Sequence, residues 1–483
     1  MAQTQSCVDV LIVGGGISGC WFADKLKPQD YPDLTVRLVE ATHRIGGRLE
    51  SKSDTYETEV KDELGGMRMF PNSMPKIKDL VTRFDLNLEP IALKDDDNLF
   101  HYDGKTVKRE NAAELAPKGG NWAGQPPSAM ANKAKNAYKS TKYWADCGNL
   151  AYECPELRNL SLHEFFKKYA NANDEDVKFW FAYSGYDLYH SDVQCSIWVD
   201  DGELYGSENE FQYFVKEGYN AVVAGLFDQS RVGLKPGRDF SINTKVVSLK
   251  RQGDKLIAIT NCGESITASK VILALTAQQL DGITGWDSLI SAERKAAVNG
   301  SKYIPLFKCF LQFDKPWWKE FGFLSGKSTA DNDTRQIHYY DDDDLLVYVS
   351  DGETTETAYA THWGDLFASA NTDKEKLDVL TSMWHEVKEV HKQAGVPEEA
   401  MPDPVWEKCT KKYWPAGSHK WKKGVDVPNA IDKIADGTYD ESHIYITGDA
   451  FSDKQGWVEG AINTCDIAFG KAFGSNRPMY SQE

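Results

Sequence analysis

A chain of 483 residues, 41% hydrophobic and 12% aromatic, is long enough to bury cores for two or three domains, and this composition excludes disorder over most of its length. With 55 basic against 73 acidic residues the net charge is −18, which excludes a nucleic-acid or anionic-membrane surface as the main partner.

The first predicted element is the apolar run Val10-Leu11-Ile12-Val13, the pattern of a parallel strand buried on both faces, and it ends in Gly14-Gly15-Gly16-Ile17-Ser18-Gly19. In this G-x-G-x-x-G turn Gly14 permits the tight turn and Gly16 lets a pyrophosphate approach the backbone. Gly19 lets the next helix, over residues 18–27, pack on the strand with its first N–H groups toward the phosphates. A second strand, 34–39, ends in Glu40, about twenty residues past the glycines, where a carboxylate accepts hydrogen bonds from an adenosine ribose. Strand, turn, helix, strand and acid in this order mark a dinucleotide site. The turn that follows Ala41 carries Gly46 and Gly47 between Arg44 and Arg48, and glycine amides with guanidinium groups suit a pyrophosphate.

Within 62–71, Arg68 stands between Met67 and Met69-Phe70. A guanidinium in apolar company demands an anion, either a ligand's or an internal partner such as Asp62 or Glu63. Residues 76–87 place Ile77, Leu80, Val81 and Phe84 on one helical stripe. Helical periodicity dominates about residues 110–210, which read as a helical insertion with its clustered aromatics, Trp180 among them, in the core. After a short helix at 218–227, residues 242–249 and 255–259 alternate around Gln252-Gly253-Asp254 as a hairpin, and 271–275 is a buried strand that rebuilds the nucleotide-binding sheet from distant sequence. Residues 303–313 alternate around Lys308, which is either a solvent-facing strand residue or an ammonium held at a site. The acidic run 341–344 reads as a solvated hairpin loop, 377–391 as a helix and 410–421 as an aromatic loop. Last, a strand at 444–447 ends in Gly448-Asp449, and 455–461 open a final helix whose N-terminus beside a buried acid suits a cofactor's ribityl chain and ring carbonyl.

The nine cysteines show no C-x-x-C spacing and read as reduced, mostly buried thiols in a reducing compartment, with no zinc or other metal site. No apolar run approaches a membrane span, and the first strand starts too early for a secretory signal before it, so a cytoplasmic location is expected.

GGGISG with Glu40, the GGR turn at Gly46-Gly47-Arg48, the ELGGMR segment and the closing ITGDAFSDKQGWVEGAI together resemble the flavin amine oxidase family, and within it the L-amino acid oxidases, over nearly the whole chain. The resemblance implies an α/β fold. A Rossmann-like FAD-binding domain of the glutathione-reductase type (1–66, 216–300 and 432–483) is interleaved with a mixed-sheet substrate domain (67–110 and 301–431) and a helical domain (111–215). It implies FAD held by Gly14, Gly16, Ser18, Gly19, Glu40, Ala41, Arg48, Gly65, Gly66, Met67, Arg68, Val246, Gly448, Asp449, Gly456, Trp457 and Val458. No cysteine occupies the tail turn, so FAD is expected to be non-covalent.

In the L-amino acid oxidases an arginine in the position of Arg68 grips the substrate carboxylate, and in the wider family a lysine in a Lys-x-Phe-Leu segment like that of Lys308 holds a water against flavin N5. His338-Tyr339 stands where the family has a Tyr-Tyr pair supporting the carboxylate, which leaves open which of the two serves, and Gly456 and Trp457 border the substrate amine. The chain departs from the animal pattern with Gly-Gly-Met-Arg in place of Gly-Pro-Met-Arg and Gly-Asp-Ala in place of Gly-Glu-Tyr. The implied reaction converts L-amino acids and dioxygen to 2-oxo acids, ammonia and hydrogen peroxide, in a homodimer or higher oligomer. A related amine or polyamine oxidase, a 2-monooxygenase, a dehydrogenase and a non-enzymatic FAD-binding protein are the alternatives.

Overall fold

The computed structural model describes residues 5–52, 62–91, 96–148, 150–199, 212–230, 239–340 and 343–474. In chain order the elements used below begin with β1 (Gln5–Val13), α1 (Ile17–Lys25), β2 (Val36–Val39), α2 (Pro75–Arg83), α3 (Asp174–Ser184) and α4 (Asn220–Gln229). They continue with β3 (Val246–Gln252), β4 (Lys255–Thr260), β5 (Ser265–Ala274), β6 (Ser301–Gln312), β7 (Gly326–Ala330), β8 (Gln336–Tyr339) and β9 (Asp344–Ser350). The last are α5 (Asp373–Lys392), β10 (Thr410–Trp421), β11 (Ile444–Thr447) and α6 (Val458–Phe473). The chain divides into two compact units, Met1–Glu89 with Tyr213–Tyr303 and Val425–Glu483, and Pro90–Gln212 with Ile304–Gly424.

The first unit is built on a seven-stranded sheet whose main path runs β3-β4-β5-β1-β2 and then the short strand Phe240–Ser241, while β11 pairs with β5. β1 is parallel to both neighbours, with Ile12 opposite Ile272 on one side and Leu38 on the other, and β11 sets Tyr445 beside Ile272. Parallel strands covered on both faces must be apolar throughout, and Val10, Leu11, Ile12, Val271, Ile272 and Ile446 are all fully buried. The hairpin expected around Gly253 forms as β3 and β4, with a left-handed Gly253 at its turn. Against the sheet α1 packs on α6, where Trp21 Nε1 and Lys25 both reach Asp466.

The second unit holds another seven-stranded sheet, in the order β10-β6-β9-β8-β7 followed by the strands Leu99–Tyr102 and Lys105–Lys108. One face carries Cys309, Leu311, Ile337, Leu345 and Val347 against Met383, Trp384 and Val387 of α5. The C-terminal carbonyls of α3 are met by side chains from elsewhere in the unit: Arg335 at Phe181 O (3.1 Å), Arg109 and Thr329 at Tyr183 O (3.1 and 3.0 Å), Lys327 at Ser184 O (3.2 Å) and Gln336 at Gly185 O (2.8 Å). Cationic donors at this end complement the helix dipole.

Two expectations fail here. Residues 410–421, read as an aromatic loop, form the strand β10, and Pro415 is accommodated because β10 lies at the sheet edge, where a missing N–H breaks no ladder. The cysteines are not all thiols, since a left-handed Gly148 turns the chain after Cys147 and a disulfide joins Cys147 to Cys154 across a Cα–Cα distance of 5.3 Å. Cys20, Cys195, Cys309 and Cys465 are buried thiols as expected, whereas Cys7 and Cys262 are exposed. Asp341 and Asp342 of the acidic run lie outside the described residues. Among the described residues no helix is long and apolar enough to cross a membrane, and no group of side chains is arranged to hold a metal.

Candidate functional site

The glycine turn divides into positions that the fold requires and one that it leaves open. A Cβ on Gly14 would lie 2.5 Å from Ala274 O, and one on Gly19 would lie 1.9 Å from Gly14 O, so neither tolerates a side chain. Gly16 is different. A Cβ there meets nothing closer than Gly47 Cα at 3.7 Å, and Gly16 stands at the start of α1, which has no side-chain cap and no acid in its first turn. Open space beside uncapped N–H groups at a helix N-terminus is what a pyrophosphate fills, so the residues present fit a dinucleotide.

Glu40 is committed largely to the protein. Its Oε2 accepts from Gly15 N–H at 2.7 Å and its Oε1 accepts from Thr42 N–H and from the Thr42 hydroxyl at 2.8 Å each. A carboxylate has about four acceptor positions, so some capacity toward a ribose remains. Ala41 beside it is exposed.

Three motifs distant in sequence meet in this unit. Arg48 is ion-paired with Asp449, whose Oδ2 also accepts from Gly456 N–H at 3.2 Å. The Arg48 carbonyl accepts from Gly66 N–H at 3.0 Å, and a Cβ on Gly65 would lie 1.8 Å from the same oxygen. The GGR turn, the ELGG segment and the tail are therefore one construction. Gly448, with φ at +147°, donates its N–H to Thr464 Oγ1 at 3.0 Å, which ties the end of β11 to α6. Trp457 stands at the start of α6 just before Val458, its ring 5.4 Å from that of Phe70, and Val246 is buried at the start of β3. Ser18 is buried in the first turn of α1. Arg68 is half-buried between Met67 and Met69, which are both buried.

In the second unit the solvent-facing reading of Lys308 falls, since the residue is only 3% exposed. It stands directly opposite Tyr348 on β9, which stands opposite Gln336 on β8, and cross-strand partners share a face. Lys308 Nζ lies 5.6 Å from the Tyr348 ring centre, the His338 ring lies 6.1 Å from that of Tyr348, and His338 Nε2 is 3.1 Å from Gln336 Oε1.

Tyr339, expected beside the substrate, is turned the other way, because successive residues of a strand alternate. It is 3% exposed within the core under α5, stacks on Phe323, and its hydroxyl lies 2.6 Å from Ser328 Oγ and 2.8 Å from His391 Nε2. Of the pair, His338 shares the face of Lys308. His391 Nδ1 is 2.7 Å from Val387 O, a pure acceptor, so the ring proton sits on Nδ1 and Nε2 accepts from Tyr339. Burial depresses the His391 pKa to about 4. Tyr348, Gln336 and His391 escaped the sequence reading because their places depend on strand register and helix docking.

Compared with known proteins, the chain matches the profile of the family described as flavin containing amine oxidoreductase over residues 18–466. It is similar to an uncharacterized protein of Acanthamoeba polyphaga mimivirus, with 26% identity over 97% of this chain and 94% of that protein. An L-amino-acid oxidase of Sistrurus catenatus edwardsii is 25% identical over 70% of this chain, and the match spans 64% of that oxidase's length. Achacin of Lissachatina fulica is 23% identical over 98% of this chain and 94% of its own.

Proposed function

Because the chain belongs to the family of flavin containing amine oxidoreductases, we propose that it holds FAD non-covalently in its first unit and oxidises L-amino acids, with dioxygen as acceptor, to 2-oxo acids, ammonia and hydrogen peroxide. The observation that carries this reading is Arg68, a half-buried guanidinium between two buried methionines on the segment whose glycines lie against the Arg48 turn. A planar, permanently charged fork suits a carboxylate in a two-point grip, and a substrate without a carboxylate has no use for it.

The pyrophosphate is assigned to the open side of Gly16, the ribose to the spare capacity of Glu40, and the ribityl and ring end to Asp449, Gly456 and the start of α6. When bound, the flavin supplies the acceptor for the two electrons and the hydrogen of the substrate Cα–H bond. The protein's part is orientation: Arg68 fixes the carboxylate while Gly456 and Trp457 border the amine, which turns an encounter into a near-intramolecular reaction. In the second unit Lys308 is assigned the family's water-holding role, with His338 rather than Tyr339 as its polar neighbour on that face.

The test is anaerobic bleaching of the purified protein's flavin absorption with L-amino acids, D-amino acids and the corresponding decarboxylated amines. Bleaching by L-amino acids alone, with colour and peroxide on readmitting air, supports the oxidase. Bleaching by the amines makes Arg68 structural and the protein an amine oxidase.

A further inference from the structure

The segment that carries Arg68 is held at both ends by buried carboxylates, and one of them comes from the far end of the chain. Upstream, Glu63 accepts from Tyr219 N–H at 2.7 Å and from the Ser51 hydroxyl at 2.8 Å, which joins the segment to the start of α4. Met69 then exchanges two backbone hydrogen bonds with Tyr213, at 3.0 Å each. Downstream the chain enters α2, whose N-cap residue Met74 offers no side-chain acceptor and whose first residue, Pro75, has no N–H. The next two donors, Lys76 N–H and Ile77 N–H, are taken by Glu459, one on each carboxylate oxygen, at 3.2 and 3.1 Å.

Glu459 lies in the first turn of α6, two residues past Trp457, and is 2% exposed. Around it the same junction is closed by the Phe70–Trp457 ring contact, by Lys454 Nζ on Ser73 O at 3.1 Å and by Lys76 Nζ on Asp466 at 2.7 Å. A buried carboxylate is costly to keep, and burial raises the pKa of Glu459 above its ordinary value. An ordinary Ser or Asp cap at position 74 would satisfy α2 more simply, but it would not bind α2 to α6.

We propose that Glu459 is the positioning residue for Arg68. By capping α2 from α6 it sets the spacing between the Arg68 segment and Trp457, so that the substrate carboxylate and amine are presented in one register. The inference rests on the reading of Arg68 as the carboxylate clamp. A clamp misplaced by a fraction of an ångström loses much of its grip, and the expected signature is therefore weaker carboxylate binding with the flavin still in place.

The experiment compares Glu459→Ala and Glu459→Gln with Arg68→Ala and the Arg68→Ala/Glu459→Ala double variant, all as flavin-loaded proteins. The probe is benzoate, a carboxylate that cannot be oxidised, titrated by its perturbation of the flavin spectrum, with KM and kcat for an L-amino acid measured in parallel. Glu459→Ala is expected to keep its flavin and weaken benzoate binding about tenfold, with a matching rise in KM and a smaller change in kcat. Glu459→Gln, which keeps one good acceptor, is expected to fall between it and the wild type, and it carries the test if the alanine variant does not fold. On an Arg68→Ala background the Glu459 change is expected to add nothing further to the loss. If Glu459 variants lower only thermal stability while benzoate affinity and KM stay at wild-type values, the positioning role is overturned. If Arg68→Ala itself leaves benzoate binding unchanged, it is the clamp reading that fails, and the inference falls with it.

Discussion

Replacing Tyr339 by Phe distinguishes its observed place in the core from the substrate-facing place that the family resemblance implies. Its hydroxyl is the middle of a buried relay: Leu99 N–H donates to Ser328 Oγ at 2.9 Å, Ser328 and Tyr339 are 2.6 Å apart, and Tyr339 donates to His391 Nε2 at 2.8 Å. Since His391 uses Nδ1 on Val387 O, the deletion strands a buried imidazole acceptor and a serine hydroxyl together. Each buried polar group left unpaired costs roughly 1–3 kcal/mol, so the variant is expected to lose about 3 kcal/mol, a large fraction of the roughly 5–15 kcal/mol by which domains are stable. Urea unfolding followed by tryptophan fluorescence reads this directly, because the Trp317 ring lies 5.1 Å from His391. KM for an oxidised L-amino acid is expected to stay within about twofold, since the hydroxyl lies on the opposite face from Lys308. An unchanged urea midpoint together with a KM raised about tenfold or more would refute the parity argument and return Tyr339 to the substrate.

The same relay makes stability pH-dependent. With a folded pKa of about 4 against an ordinary value of 6.5, His391 is neutral when folded and protonated when unfolded between those limits. Its contribution is therefore complete above pH 6.5 and is lost as pH falls toward 4, by up to ~3 kcal/mol, and His391→Gln should flatten the urea midpoint across that window. Gly16→Ala should fold normally yet purify without flavin, because its Cβ has room in the protein alone but takes the pyrophosphate's place, whereas Gly19→Ala should fail to fold on its clash with Gly14 O; the flavin-to-protein absorbance ratio and thermal melting separate the two. Arg68→Ala should retain flavin and lose on the order of 3 kcal/mol in kcat/KM for amino acids, and unaltered kinetics would remove the carboxylate role. Alkylation of the denatured, unreduced protein should count seven thiols, rising to nine after reduction; nine at the outset would deny the Cys147–Cys154 bond.

The parts of the fold that were legible in the sequence are those whose physics is local. An apolar run of four residues has to be buried on both faces, glycines have to follow it where a Cβ would clash, as at Gly14 and Gly19, and an acid closes the second strand, so β1, α1 and β2 could be read in order. The hairpin of β3 and β4 and the helix α5 were equally plain from period and turn chemistry. β10 was hidden because its Pro415 and Gly417 mimic a loop and only a sheet edge makes them tolerable, and nothing in the spacing of Cys147 and Cys154 announced their pairing.

What tertiary structure alone decided is which neighbours face the same way and which distant groups meet. Whether His338 or Tyr339 stands with Lys308 is a matter of strand register, and a slip by one residue exchanges them. Glu459 reaches the first turn of α2 from 382 residues away. No local pattern encodes that contact, because a buried carboxylate's partners are chosen by the packing of two helices and not by the residues beside it in the chain.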